Sequence, residues 1–209
     1  MTLADFLSPL PLVAVLRGIT PPEVPGVADV LTGAGFRVLE VTLNSPKPFE
    51  SIRALAARCG DACLVGAGTV LDPADVARVR DAGGRLIVMP HADVAVIREA
   101  KRQGLVCIPG VATPTEAFSA LAAGADALKM FPAEALPPAA LKAWRAVLPK
   151  DTLVFAVGGM RPDNLLPYRQ AGADGFGTGS ALYQPGATAD AVRDAAMAYA
   201  RGVGALPRR

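Results

Sequence analysis

Lysine is scarce in this chain of 209 residues: Lys47, Lys101, Lys129, Lys142 and Lys150 are the full set. Four of them stand in stretches that read as helix or loop, where an ammonium group is easily solvated. Lys129 instead interrupts the apolar run Ala127-Leu128-Lys129-Met130-Phe131. An amine held in an apolar strand loses the water its charged form needs, so its pKa falls, and the neutral amine can attack a carbonyl carbon. Glu40 interrupts Val38-Leu39-Glu40-Val41-Thr42-Leu43 in the same way. A buried carboxylate beside a buried amine can carry protons to and from an imine. The same two groups can also form a static ion pair in the core. Two glycine clusters complete the set, Val157-Gly158-Gly159 and Gly175-Phe176-Gly177-Thr178-Gly179-Ser180. Glycines let backbone N–H groups approach phosphate oxygens closely. A lone inward amine, an inward carboxylate and a phosphate cradle suit Schiff-base chemistry on a phosphorylated keto compound. A barrel isomerase or synthase with Lys129 as an electrostatic group, or a phosphosugar-binding barrel without catalysis, are the alternatives on the residues alone.

Other chemistries are excluded early. His91 is the single histidine, so a multi-histidine metal centre cannot be built. Net charge is +2, and no basic run exceeds two residues before the terminal Arg208-Arg209, which reads as a solvated tail. Neither nucleic acid nor a membrane surface is an expected partner. Hydrophobic residues make up 52% of the chain against 19% charged, enough for a sizeable core. No apolar run approaches the ~20 residues of a membrane span. Met1–Pro11 lacks the basic segment of a secretory signal. Cys59, Cys63 and Cys107 form an odd set without framework spacing, which reads as reduced thiols in a cytoplasmic protein.

The elements that would position these groups repeat along the chain. Helical stretches pause at Gly35, Gly60, Gly84, Gly104, Gly124, near Lys150 and at Gly172, and a short β-rich run follows each pause. Strands are expected at 12–17, 38–43, 64–68, 86–89, 106–108, 127–131, 153–157 and 175–177. Helix starts are marked at Thr20-Pro21-Pro22-Glu23 and Thr113-Pro114-Thr115-Glu116, which read as capping boxes, and at Ser45-Pro46 and Asp72-Pro73. Pro25 implies that the first of these helices starts late or kinks. Eight β-then-α units with short loops predict a closed (β/α)8 TIM barrel, with residues 1–209 as one domain. An open doubly wound sheet is disfavoured because no G-x-G-x-x-G follows the first strand.

In a barrel, alternate strand side chains point inward, and sites form at the C-terminal strand ends. Alternation turns Glu40, Lys129 and Phe131 inward and sets Arg17 at the end of strand one, where a guanidinium can hold an anion. Thr69 ends strand three, and Pro90 ends strand four. The glycines of strands seven and eight occupy the usual phosphate position, with Ser180 as the N-cap of a short extra helix. His91 is a rim residue with no assigned role.

Leu39-Glu40-Val41-Thr42-Leu43, Val65-Gly66-Ala67-Gly68-Thr69-Val70, Leu128-Lys129-Met130-Phe131-Pro132-Ala133-Glu134 and Val157-Gly158-Gly159 resemble the 2-keto-3-deoxy-6-phosphogluconate aldolase family of class I aldolases. The resemblance covers nearly the whole chain. It implies a Schiff base on Lys129 and a proton shuttle at Glu40, and cleavage of a phosphorylated 2-keto-3-deoxy sugar acid to pyruvate and glyceraldehyde 3-phosphate. It also implies that no metal or cofactor takes part, and that the assembly is a homotrimer. Leu16-Arg17-Gly18-Ile19-Thr20-Pro21, Leu43-Asn44-Ser45-Pro46 and Phe155-Ala156-Val157-Gly158-Gly159 are closer to the branch acting on the galactonate C4 epimer, and imply substrate contacts at Arg17, Thr69, Gly159, Gly179 and Ser180. Val157, Gly158, Phe131 and Pro90 join that set. Val157 stands where the gluconate branch has threonine. Ala133-Glu134 is gluconate-like, which leaves use of both epimers open.

Overall fold

The computed structural model describes residues 1–8 and 10–207, so the Arg208-Arg209 tail lies outside the described residues. Among the described residues nine strands run parallel in one sheet: β1 (Leu12–Leu16), β2 (Val38–Thr42), β3 (Leu64–Gly68), β4 (Leu86–Val88), β5 (Val106–Ile108), β6 (Gly110–Val111), β7 (Leu128–Met130), β8 (Val154–Val157) and β9 (Gly175–Thr178). Their order is β5-β4-β3-β2-β1-β9-β8-β7-β6. β5 and β6 are one stave interrupted at Pro109. On one side Met89 N–H donates to Ile108 O at 3.3 Å, and on the other Lys129 N–H donates to Pro109 O at 2.8 Å. The ring therefore closes with eight staves, as expected. The short piece at Gly110–Val111 was not foreseen, because proline lacks the N–H that would continue the ladder.

Helices α2 (Val24–Gly33), α3 (Pro48–Cys59), α4 (Pro73–Asp81), α5 (Val94–Arg102), α6 (Pro114–Ala122), α7 (Pro138–Arg145), α8 (Leu165–Ala171) and α9 (Ala189–Gly204) pack outside the ring. Alternation along the strands divides the core. Leu12, Ala14, Leu16, Leu39 and Val41 face the helices. Val13, Val38, Leu64, Leu86, Ile108 and Phe155 fill the interior with Leu3, Phe6 and Leu7 of α1 (Leu3–Leu7). Val38, Leu64 and Leu86 are first residues of their strands, so α1 plugs the N-terminal mouth. That helix was not foreseen; Thr2 and Asp5 form a capping box at its start.

Two polar clasps close the same end. Asp126 accepts from Cys107 N–H at 2.8 Å and pairs with Lys101 of α5 at 2.6 Å. Asp174 accepts from Val154 N–H at 2.7 Å and pairs with Arg145 of α7. Each ties a strand start to a neighbouring strand and to a helix, which gives Lys101 a structural use.

Several caps differ from expectation. Thr113 and Asp72 cap α6 and α4 as read. Ser45 does not cap α3. The hydroxyl accepts from Gly18 N–H at 2.8 Å and lies 3.0 Å from the Thr42 hydroxyl, while Lys47 takes the cap position. α2 begins at Val24, after the Thr20–Glu23 turn, so Pro25 falls in its first turn where no N–H is needed. Ser180 starts no helix. Residues 180–182 make a single turn in which Gly179 O accepts from the N–H groups of Leu182 and Tyr183.

Candidate active site

β2 and β7 carry their polar residues into the barrel because the alternate positions are apolar and packed on helices. Glu40 is 1% exposed and Lys129 7%. Around them lie Val13, Val15, Val88, Ile108, Phe155 and Val157. The Lys129 ammonium sits 4.7 Å from the Phe131 ring centre. The other lysines stay outside this interior: Lys47 pairs with exposed Glu50, Lys101 holds Asp126, and Lys142 and Lys150 are exposed.

The pair is electrostatically coupled without a direct bond. Glu40 Oε2 is buried with no hydrogen-bond partner. Burial pushes the Glu40 pKa up against the pull of the Lys129 and Arg17 charges. Burial pushes the Lys129 pKa down; Glu40 opposes that shift and Arg17 adds to it. Both shifts favour the neutral form, which readies the Lys129 amine for attack on a carbonyl and makes the Glu40 carboxylate a stronger base for taking up and returning a proton. A satisfied core ion pair would leave no orphaned oxygen, so the static reading fits the site poorly.

Gly68 makes room for the carboxylate. A Cβ at this position would stand 2.7 Å from Glu40 Oε1 and 2.8 Å from Cδ. Sequence reading placed Gly68 in β3 without assigning it a part, since the β2–β3 approach is visible only in register, where Thr42 pairs with Gly68 and Glu40 with Gly66.

Above the pair opens a cleft of about 670 Å³ at the C-terminal strand ends. Lys129 and Val157 line both this cleft and the barrel interior below it, and Arg17 and Phe131 line the cleft with them. Gly158, Gly159, Gly179 and Ser180 line it farther along the chain ends of β8 and β9. Gly158 and Gly159 have φ of 106° and 66°, a turn that glycine adopts without strain. Arg17 is exposed, and none of the ion pairs among the described residues uses it. Thr69 and Pro90 follow β3 and β4 on the same rim but do not line the cleft. Thr69 holds a left-handed backbone, φ 57°, unusual for a β-branched residue. Glu134, for which the sequence offered no role, also lines the cleft, and its Oε2 would meet a Cβ on Gly159 at 2.6 Å.

The chain matches known proteins closely in sequence and fold. The probable 2-dehydro-3-deoxy-6-phosphogalactonate aldolase of Rhizobium meliloti (strain 1021) is 50% identical over 188 residues, covering 90% of this chain and 89% of that protein. The 2-dehydro-3-deoxy-6-phosphogalactonate aldolase of Escherichia coli (strain K12) is 47% identical, covering 92% and 94%. A solved structure of native KDPGal superposes with a TM-score of 0.91 at 47% identity, again covering 92% and 94%. The family profile described as KDPG and KHG aldolase spans residues 3–195. A match of that extent, on a barrel with this interior, makes the chain a member of the KDPG and KHG aldolase family.

Proposed function

We propose that this aldolase cleaves 2-dehydro-3-deoxy-6-phosphogalactonate to pyruvate and D-glyceraldehyde 3-phosphate through a Schiff base on Lys129. The observation that carries the chemistry is one buried amine inside the barrel beside a buried, unpartnered carboxylate. The neutral Lys129 amine attacks the C2 carbonyl, and loss of water leaves an iminium. Ionised Glu40 takes the C4 hydroxyl proton. The C3–C4 bond then breaks, its electrons pass to the iminium to give an enamine, and the aldehyde departs. Glu40 returns the proton to C3, and water releases pyruvate and the free amine. Arg17, close enough to shift both groups, holds the substrate carboxylate beside C2. The N–H groups of the Gly158-Gly159 and Gly179-Ser180 turns hold the phosphate, six carbons' reach along the cleft. Thr69 and Pro90 stand on the same rim outside the cleft lining, so no substrate contact is assigned to them.

The galactonate epimer is favoured by Val157, an apolar side chain on the cleft wall next to Lys129, and by the names of the two relatives at 50% and 47% identity. A site without a hydroxyl there does not reward the epimer that needs one. The reading includes a cytoplasmic homotrimer, which light scattering tests as three times the 21.4 kDa chain mass. Borohydride trapping with pyruvate, followed by peptide mass analysis, tests the chemistry. An adduct on Lys129 is expected, and an adduct elsewhere or none overturns it. For the epimer, kcat/KM should favour the galactonate substrate by about tenfold or more; equal or reversed values overturn that choice.

A further inference from the structure

Glu23 was read in the sequence as half of a capping box, and the structure gives it more partners than a cap uses. Oε2 accepts from Thr20 N–H at 2.9 Å and from the Thr20 hydroxyl at 2.5 Å. Oε1 accepts from the Tyr183 hydroxyl at 2.9 Å and from Gly186 N–H at 3.0 Å. The second pair of partners lies 160 and 163 residues away. One carboxylate thus joins the turn after β1 to the turn after β9.

Both turns bound the outer cleft. Arg17 and Gly18 come from the first, and Ser180, Tyr183, Gln184 and Pro185 from the second. They are pressed together as well as bonded, since a Cβ on Gly18 would stand 2.6 Å from Pro185 Cγ. Gly18 is held from its other side by the Ser45 hydroxyl at 2.8 Å. Glu23 itself does not line the cleft. Burial acts to raise its pKa, and the four hydrogen bonds outweigh that effect and lower it to about 2. It stays a four-fold acceptor through the neutral range. An anion set behind an anion-binding turn repels the ligand's charge, so its use there is geometric.

We propose that Glu23 is a positioning residue for the phosphate end of the cleft, fixing the Gly179-Ser180 turn relative to Arg17 through Tyr183 and Gly186. The proposal rests on the aldolase reading above. The turn after β1 keeps its own anchor in the Ser45 hydroxyl on Gly18 N–H, so Arg17 and pyruvate chemistry at Lys129 hold without the clasp, which acts on the turn after β9.

Glu23→Gln keeps the size but turns two N–H groups toward donors, so one of the two turns loses its acceptor. The full chain is assayed in the synthesis direction with pyruvate and either D-glyceraldehyde 3-phosphate or unphosphorylated D-glyceraldehyde. The variant should raise KM for the phosphorylated aldehyde about tenfold. It should leave borohydride trapping of pyruvate within about twofold of the parent and cut the kcat/KM preference for the phosphorylated aldehyde. Equal losses with both aldehydes and in pyruvate trapping mean a merely structural role and overturn the proposal, as does an unchanged preference. Should Glu23→Gln fail to fold, Tyr183→Phe removes one of the four bonds and should raise the same KM about threefold; no rise overturns the proposal. A parent protein that traps no pyruvate overturns the aldolase reading, and this inference with it.

Discussion

Lys129 and Glu40 are costly residues to keep in an apolar interior. A lysine whose folded pKa is lowered takes up fewer protons than the unfolded chain between that pKa and 10.5. Its contribution to stability is therefore fully present only above 10.5, and is lost as pH falls through the folded value. Lys129→Met relieves the cost at neutral pH. The variant should lose all turnover yet melt higher, by about 3 °C for each kcal/mol relieved, in a calorimetric scan at pH 7. A lower melting temperature would favour a structural pair instead. The neighbours give opposite signs in kinetics. Arg17 lowers the Lys129 pKa and Glu40 raises it. In the pH profile of pyruvate trapping, the acid-limb midpoint should move to higher pH in Arg17→Met and to lower pH in Glu40→Gln. Glu40→Gln should also cut turnover by about 10²–10⁴-fold. Gly68→Ala pushes a methyl onto the Glu40 carboxylate and should lower kcat by about 10²-fold with the Lys129 adduct still forming.

At the scale of elements, local signals were legible where one residue's partners lie within a few positions. Thr113 closes a box with Glu116, its N–H donating to the Glu116 carboxylate at 2.9 Å, and Thr113→Ala should cost about 1 kcal/mol in urea unfolding without altering kcat. Strand alternation likewise placed Glu40, Lys129 and Arg17, because an inward position follows from the apolar residues on either side. Ser45 and Glu23 were misjudged or half read for the opposite reason. Both are polar residues just before a helix, and their bonds go to turns of other staves, Gly18 for one and Tyr183 with Gly186 for the other. Ser180 was expected to start a short helix from its type and its place after strand eight, but two N–H groups return to Gly179 O and the chain turns away after one turn. Gly68 was invisible because its reason is a carboxylate on the next strand.

The whole molecule is a barrel with its apolar contents sealed at one end. Leu3, Phe6 and Leu7 of α1 pack into the interior from the N-terminal side, with Arg85 over the Phe6 ring at 5.7 Å. Phe6→Ala should cost about 3 kcal/mol or more in denaturant unfolding, and the loss should exceed that of any cap variant. The seal has a kinetic consequence. A container stoppered below has a single doorway, and in the proposed mechanism Lys129 holds the substrate at its floor with the rest of it stacked toward the exit. The fragment bonded to the lysine cannot leave while the aldehyde fragment blocks its path. Release is then compulsory in order, aldehyde first and pyruvate last. Product inhibition should show it: pyruvate competitive with the phosphorylated substrate, and glyceraldehyde 3-phosphate noncompetitive.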